Sequence, residues 1–311
     1  MKKIALLFPG QGSQYIGMGK KLNDNFKCAK EVYEEANDAI GFDLRGLCFE
    51  GDMEELTKTE NTQPAIMTAS VAAFRVYQEE IGVEPLFMAG HSLGELSALT
   101  CSGAINFSNA IKLVRQRGRF MQEAVPVGIG GMSAISGADT VDIEDECKKV
   151  SEDGNIVVIS NYNSPDQIVI SGNKAAVEGA GEKLKERGAK VIPLKVSAPF
   201  HSPLMKPAAD KFGEELMKYS YNDPRFPVIS NVTALPYDGA HSIRENLTMQ
   251  ITSPVQWIRS MKYLESCGVE MLIELGPKKV LKNLAAKIIP GRDAYSYDYD
   301  QDVNNIKSLL L

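Results

Sequence analysis

Histidine is scarce in this chain: His91, His201 and His241 are the only three in 311 residues. Any chemistry that needs an imidazole base must draw on them. The five cysteines, Cys28, Cys48, Cys101, Cys147 and Cys267, are scattered, odd in number and never spaced C-x-x-C. That argues against a disulfide framework and a metal site, and it fits a reducing compartment. Positive charge is also short. Lys and Arg number 34 against 40 Asp and Glu, and the net charge of −6 argues against nucleic acid as the main partner. No apolar run is long enough to span a bilayer. The run Ile4–Phe8 is too short for a signal-peptide core and leads to Gly10-Gln11-Gly12 with no small-residue cleavage site. The expectation is a cytoplasmic protein without a membrane partner. Phosphate-loop templates fail as well: G-x-x-x-x-G-K-[ST] is not matched at Gly10–Gln14, and G-x-G-x-x-G breaks at Tyr15. There is no internal repeat, low-complexity tract or charge block.

What is present is ordinary globular material, 44% hydrophobic and 24% charged. Within it lies one segment of chemical interest, Ala89-Gly90-His91-Ser92-Leu93-Gly94-Glu95. It follows the apolar run Pro85–Met88 and leads into Leu96–Thr100, which reads as helix. G-x-S-x-G at a strand-to-helix turn is the setting of a nucleophile elbow. The serine there sits on a strained backbone, and its neighbours two residues away must be small, hence Gly90 and Gly94. Glu95 in the first turn suits a helix N-terminus, a structural role.

The remaining pattern alternates strands and helices on both sides of one block of different character. Ile4–Phe8 reads as a buried strand, and 25–40 and 64–80 as helices. A helix over Asn109–Glu123 places Ala110, Leu113, Val114, Phe120 and Met121 on one face, with Lys112, Arg115, Gln116 and Arg119 on the wet face. Arg117 falls in the apolar sector. There it needs a protein carboxylate, an anionic ligand or a route to the rim.

From Val127, Gly128-Ile129-Gly130-Gly131 reads as a hinge. The order is then strand (Met132–Ser136), helix (140–152), strand (Ile156–Ser160), strand (Gln167–Ser171), helix (173–187) and strand (Val191–Val196). This βαββαβ order is ferredoxin-like. Asn161–Asp166 reads as its central hairpin turn. Beyond Ser197 come a helix ending near Lys218, a strand (Phe226–Ser230), helices over 242–251 and 254–265, a strand (Glu270–Leu275) and a helix opened by Gly276-Pro277. A strand near Tyr295 and a helix from Val303 complete the pattern. The expected class is α/β: a hydrolase-like parallel sheet covered by helices (1–126 and 197–311) with an inserted ferredoxin-like subdomain (127–196).

A serine nucleophile needs a base. His91 adjoins Ser92 and should point away from it, which suits packing better than proton transfer. His241 lies in an exposed-looking loop. His201 lies in an apolar segment at the domain crossover and is favoured over His241. No carboxylate stands out to orient it. The oxyanion hole of such a site comes from the N–H after the nucleophile, here Leu93, and one from an early strand–helix loop, here Gln11.

Taken together, Gly10-Gln11-Gly12-Ser13-Gln14, Gly90-His91-Ser92-Leu93-Gly94-Glu95, the arginine at 117 and Ala198-Pro199-Phe200-His201-Ser202 resemble the malonyl-CoA:acyl carrier protein transacylases, free-standing acyltransferases of fatty-acid and polyketide synthesis. The resemblance runs over essentially the whole chain, including Thr252-Ser253-Pro254-Val255-Gln256-Trp257. It implies that Ser92 is acylated, that His201 is the base and that Gln11 and Leu93 form the oxyanion hole. It implies further that the Gln250 backbone carbonyl orients His201 and that Arg117 pairs with the free carboxylate of malonate. Asn161, Asn163 and His91 would line the cleft, and Phe200 matches the position that related acyltransferases use to choose malonyl over methylmalonyl. No metal or bound cofactor is expected. The partners would be malonyl-CoA and an acyl carrier protein carrying its own phosphopantetheine, with a monomeric enzyme. Lys112, Arg115 and Arg119 are one candidate basic patch for that acidic carrier. Two rival readings are a thioester hydrolase that edits carrier proteins on the same scaffold, and a non-catalytic protein that docks on them.

Overall fold

The computed structural model of the chain describes residues 2–126, 128–151, 155–196 and 198–311. Val127 and Ser197, the expected domain boundaries, and residue 152, the expected end of one helix, lie outside the described residues. The strands are β1 (Ile4–Phe8), β2 (Phe87–Gly90), β3 (Gly130–Ser136), β4 (Val157–Ser164), β5 (Gln167–Asn173), β6 (Lys190–Pro193), β7 (Val228–Ile229), β8 (Met271–Glu274) and β9 (Asp293–Ser296). They form two sheets, a five-stranded one in the order β7-β2-β1-β8-β9 and a four-stranded one in the order β4-β5-β3-β6.

Every pairing in the larger sheet is parallel. Parallel strands need crossovers that put helices on both faces, so these strands read as unbroken apolar runs. All five residues of β1 are fully buried at the sheet's centre. On one face the helix Thr59–Glu80 is buried over most of its length, and its Phe74 ring meets Phe8 edge-on at 6.4 Å. On the other face Trp257, Met261 and Leu264 pack against Ala5, Leu7 and Ala89. No helix among the described residues is long and apolar enough to cross a membrane.

The smaller sheet is antiparallel, with the helices Thr140–Ser151 and Lys174–Glu186 in the βαββαβ order. It is tied to the larger unit by backbone bonds. Val255 N–H donates to Ser160 O at 2.9 Å, and Tyr162 N–H donates to Val255 O at 3.0 Å.

Those two bonds correct the sequence reading twice. Asn161–Asp166 is not all turn: β4 continues through bulges to Ser164, leaving Pro165-Asp166 as the turn. The bulges let the strand serve β5 on one edge and Val255 on the other. The helix expected over 254–265 starts only at Trp257, because Val255 is engaged as a bridge.

Other boundaries also move. The helix expected from 64 begins at Thr59, so Pro64 is an interior residue and not its first. That helix loses one bond at Pro64 and keeps its course through burial. The helix after Gly276-Pro277 begins at Val280, since φ of 141° at Gly276 and 64° at Lys278 are not helical. The last strand of the small sheet ends at Pro193 and not at Val196.

The elbow is the tightest junction of the larger unit. A Cβ on Gly94 would lie 1.9 Å from the carbonyl oxygen of Phe8, and one on Gly90 would lie 1.9 Å from that of Gly94. Backbone cannot yield as a flexible side chain does, so Gly94→Ala should cost about 3 kcal/mol or more in urea unfolding. A loss under about 1 kcal/mol would mean that the junction is looser than its geometry.

Candidate active site

Ser92 stands between β2 and the helix Leu93–Cys101 with φ of 51° and ψ of −107°. An L-residue in that region is strained and must be held by its surroundings. Asn231, from the loop after β7, holds it. Its Oδ1 accepts from Ser92 N–H at 2.7 Å, and its Nδ2 donates to Gly90 O at 2.7 Å. The raised hydroxyl faces a cleft of about 180 Å³ lined by Gln11, Gln63, Leu93, Arg117, Phe200 and His201, among others.

His201, also at positive φ (57°) and 3% exposed, places Nε2 2.8 Å from Ser92 Oγ. Its Nδ1 lies 2.9 Å from the backbone oxygen of Gln250. A carbonyl can only accept, so Nδ1 carries the proton and Nε2 is free to take one from the serine. Burial, and next the Arg117 charge, push His201 down to about 3, so the imidazole stays neutral in the resting site.

Arg117, from the helix Phe107–Glu123, is 1% exposed. It donates to Gln63 Oε1 at 2.8 Å, to Gln250 Oε1 at 2.8 Å and to Ser92 Oγ at 3.2 Å. Its buried Nε has no partner among the described residues. A buried guanidinium with a spare donor, beside a nucleophile, can bind a carboxylate carried by the substrate. Behind it Glu95 is fully buried and accepts from Gln250 Nε2 at 2.5 Å, from Asn231 N–H at 3.1 Å and from Tyr237 OH. Burial pushes its carboxyl up to about 7, while those donors and the Arg117 charge favour ionisation.

The "Acyl transferase domain" family description matches residues 5–296. A malonyl CoA-acyl carrier protein transacylase of Bacillus subtilis is 48% identical over 98% of this chain and 76% of its own length. One from Salmonella typhimurium is 50% identical over 93% of this chain and 94% of its own. The chain belongs to the malonyl CoA-acyl carrier protein transacylase family. The solved transacylase from Coxiella burnetii superimposes with a TM-score of 0.96 at 40% identity, covering 99% of this chain and 98% of that one. A malonyl-transacylase solved with its type II PKS acyl-carrier protein gives 0.96 at 44% identity, covering 99% and 100%.

Within this transacylase fold the other expected residues sort themselves out. Gln11 and Leu93 both line the cleft, and Gly10 packs so closely on His91 that a Cβ would lie 2.4 Å from the His91 carbonyl oxygen. His91 turns its ring onto Trp257, 5.6 Å between centroids, and sets Nε2 2.8 Å from Asn163 Oδ1. Asn161, Asn163 and Phe200 line the cleft as well. His241 does not; it is exposed beside Asp238, 3.8 Å away. The Lys112–Arg119 face is less free than expected. Arg115 bonds to Ile40 O and lies over the Phe42 ring, and Arg119 pairs with Glu123 at 2.8 Å.

Four site residues escaped the sequence reading: Gln63, Asn231, Tyr237 and the inward-facing carboxylate of Glu95. Gln63 left a signal, a polar residue within a helix otherwise buried in the core, masked by the misplaced helix start. Asn231 and Tyr237 come from a loop and left none.

The lowered pKa of His201 gives a direct test. The reaction of Ser92 with a neutral fluorophosphonate should hold its rate from pH 7.5 down to about 5, because the base stays unprotonated over that range. A fall centred near the ordinary histidine value of about 6.5 would contradict this.

Proposed function

We propose that this chain moves a malonyl group from malonyl-CoA to the pantetheine thiol of an acyl carrier protein through an ester on Ser92. The observation that carries the reading is the convergence on one hydroxyl. Ser92 Oγ lies 2.8 Å from the His201 base and 3.2 Å from the buried Arg117 guanidinium. A nucleophile that shares its cleft with a buried cation suits an acyl group with a free carboxylate at its far end.

In the first half-reaction His201 Nε2 takes the proton of Ser92 as Oγ attacks the thioester carbonyl. The oxyanion is held by the N–H groups of Leu93 and Gln11 and by the positive end of the helix Leu93–Cys101. Collapse expels CoA, whose sulfur takes the proton from His201. In the second half the carrier's thiol gives its proton to His201 and attacks the seryl ester, and Ser92 leaves with that proton. The Gln250 backbone oxygen keeps the imidazole in the working tautomer through both halves. Arg117 grips the malonyl carboxylate, with Gln63 and Gln250 fixing the plane of its guanidinium. Phe200 borders the acyl site and disfavours a branched chain. Nucleophile, base and anion clamp are all side chains, and the acceptor is the carrier's own phosphopantetheine. We place the reaction in fatty-acid or polyketide synthesis, in a monomeric cytoplasmic enzyme.

Mass spectrometry of the protein mixed with malonyl-, methylmalonyl- and acetyl-CoA should find a malonyl adduct on Ser92. Efficient hydrolysis of acetyl thioesters with negligible malonyl transfer would favour an editing hydrolase instead. Arg117→Ala should lower kcat/KM for malonyl-CoA about 100-fold and for acetyl-CoA less than about tenfold, since a charged hydrogen bond to the substrate is lost only for malonyl. Equal losses would make the arginine a structural part.

A further inference from the structure

Arg117 poses an electrostatic question. Its guanidinium is fully desolvated, yet the acceptors at its nitrogens, Gln63, Gln250 and Ser92, are all neutral. A buried cation is costly without compensation. The compensating carboxylate is one residue further away. The Gln250 side chain accepts from Arg117 through Oε1 and donates to Glu95 through Nε2. A guanidinium can only donate and a carboxylate in this setting accepts, so the amide has one permitted orientation. Its Nε2 also donates to Ser92 O at 3.0 Å, so the same amide pins the nucleophile's carbonyl.

Glu95 is itself fixed from three directions, by Tyr237 OH, Asn231 N–H and Gln250 Nε2. It is the third residue of the Leu93–Cys101 helix, where an acidic side chain ordinarily faces solvent and offsets the helix dipole. Here it points inward and is fully buried. Helix stability alone gives no reason for that burial. The arginine does.

We propose that Glu95 is a specificity-positioning residue: held one amide away from Arg117, it is the guanidinium's resting counter-charge, and an incoming acyl carboxylate must compete with it. The proposal rests on the malonyl reading of Arg117 given above. With the site empty, the Arg117 charge and the three donors draw Glu95 toward its ionised form against the cost of burial, and the two charges offset each other. With malonyl bound, two carboxylates face one cation, so the grip is weaker than Arg117 alone would provide. A transferase that must hand the acyl group on benefits, because an acyl-enzyme bound too firmly would be a dead end.

The test uses the full-length enzyme with Glu95→Gln, which keeps size and an acceptor for Asn231 and Gln250 but removes charge and turns its amide N–H toward the Tyr237 oxygen, and Glu95→Asp, which keeps charge but shortens the reach. The probe is inhibition by free malonate, with KM for malonyl-CoA and acetyl-CoA measured alongside. Removing the competing charge should make Glu95→Gln about tenfold more sensitive to malonate and lower its malonyl-CoA KM, while KM for acetyl-CoA stays within about twofold. Glu95→Asp should keep a malonate sensitivity within about twofold of wild type. A residue that only packs would give the opposite ranking, with malonyl and acetyl weakened together; weaker or unchanged malonate inhibition in Glu95→Gln overturns the proposal. If that variant does not fold, Tyr237→Phe strips one donor from the same carboxylate and favours its neutral form. Malonate inhibition should then strengthen, and unchanged inhibition is again the overturning result. Wild-type enzyme that ignores malonate overturns both this proposal and the role given to Arg117. A responsive wild type with unresponsive variants overturns this proposal alone.

Discussion

A serine forced to φ of 51° is the constraint on which the site depends. That conformation is unfavourable by itself, and it survives because the surrounding backbone leaves no alternative. Two glycines let strand, turn and helix approach to within contact distances that a methyl group would block. Asn231 then clamps the turn from the far side, closing one hydrogen bond above it and one below. The strain is held at one residue so that a single hydroxyl stands clear of the sheet.

Gln250 integrates what the elbow exposes. Its backbone oxygen fixes the His201 tautomer, and its side-chain amide links Arg117 to Glu95 while touching the Ser92 carbonyl. Ser92, His201 and Arg117 are therefore all held by one residue at the end of one short helix. The backbone carbonyl takes the place that a carboxylate occupies in the familiar serine triad. Burial first, and then the guanidinium close by, hold the imidazole neutral in the resting site, and no negative charge on that side opposes them. The same guanidinium that lowers the basicity of His201 is the one a substrate carboxylate would neutralise, so binding and base strength are physically linked.

The smaller sheet completes the cleft. Two backbone bonds to Val255 fix β4 against the larger unit, and the bulges that make this possible also aim Asn161 and Asn163 at the cleft. Two local irregularities in one strand thus fasten the small sheet and wall the pocket.

Much of this was legible in the residues. The βαββαβ block and the parallel sheet follow from the alternation of apolar runs and helical stripes, which local periodicity encodes. Gly90 and Gly94 announce the elbow because a Cβ at either would strike backbone, and they frame Ser92 between them. With only three histidines, elimination favours His201 over His241 as the partner of Ser92, and an arginine at an apolar helical position marks itself as unusual before any partner is known. Element ends were less legible. The true start of the Thr59–Glu80 helix and the length of β4 depend on burial and on an edge contact with Val255, neither of which a short window contains. The meeting of Gln63, Arg117, Asn231, Tyr237, Gln250 and Glu95 was decided by the tertiary structure alone. Apart from Asn231 and Tyr237, which share a loop, they come from separate segments of the chain, and an amide or a carboxylate has no preferred partner until packing removes water and leaves it one.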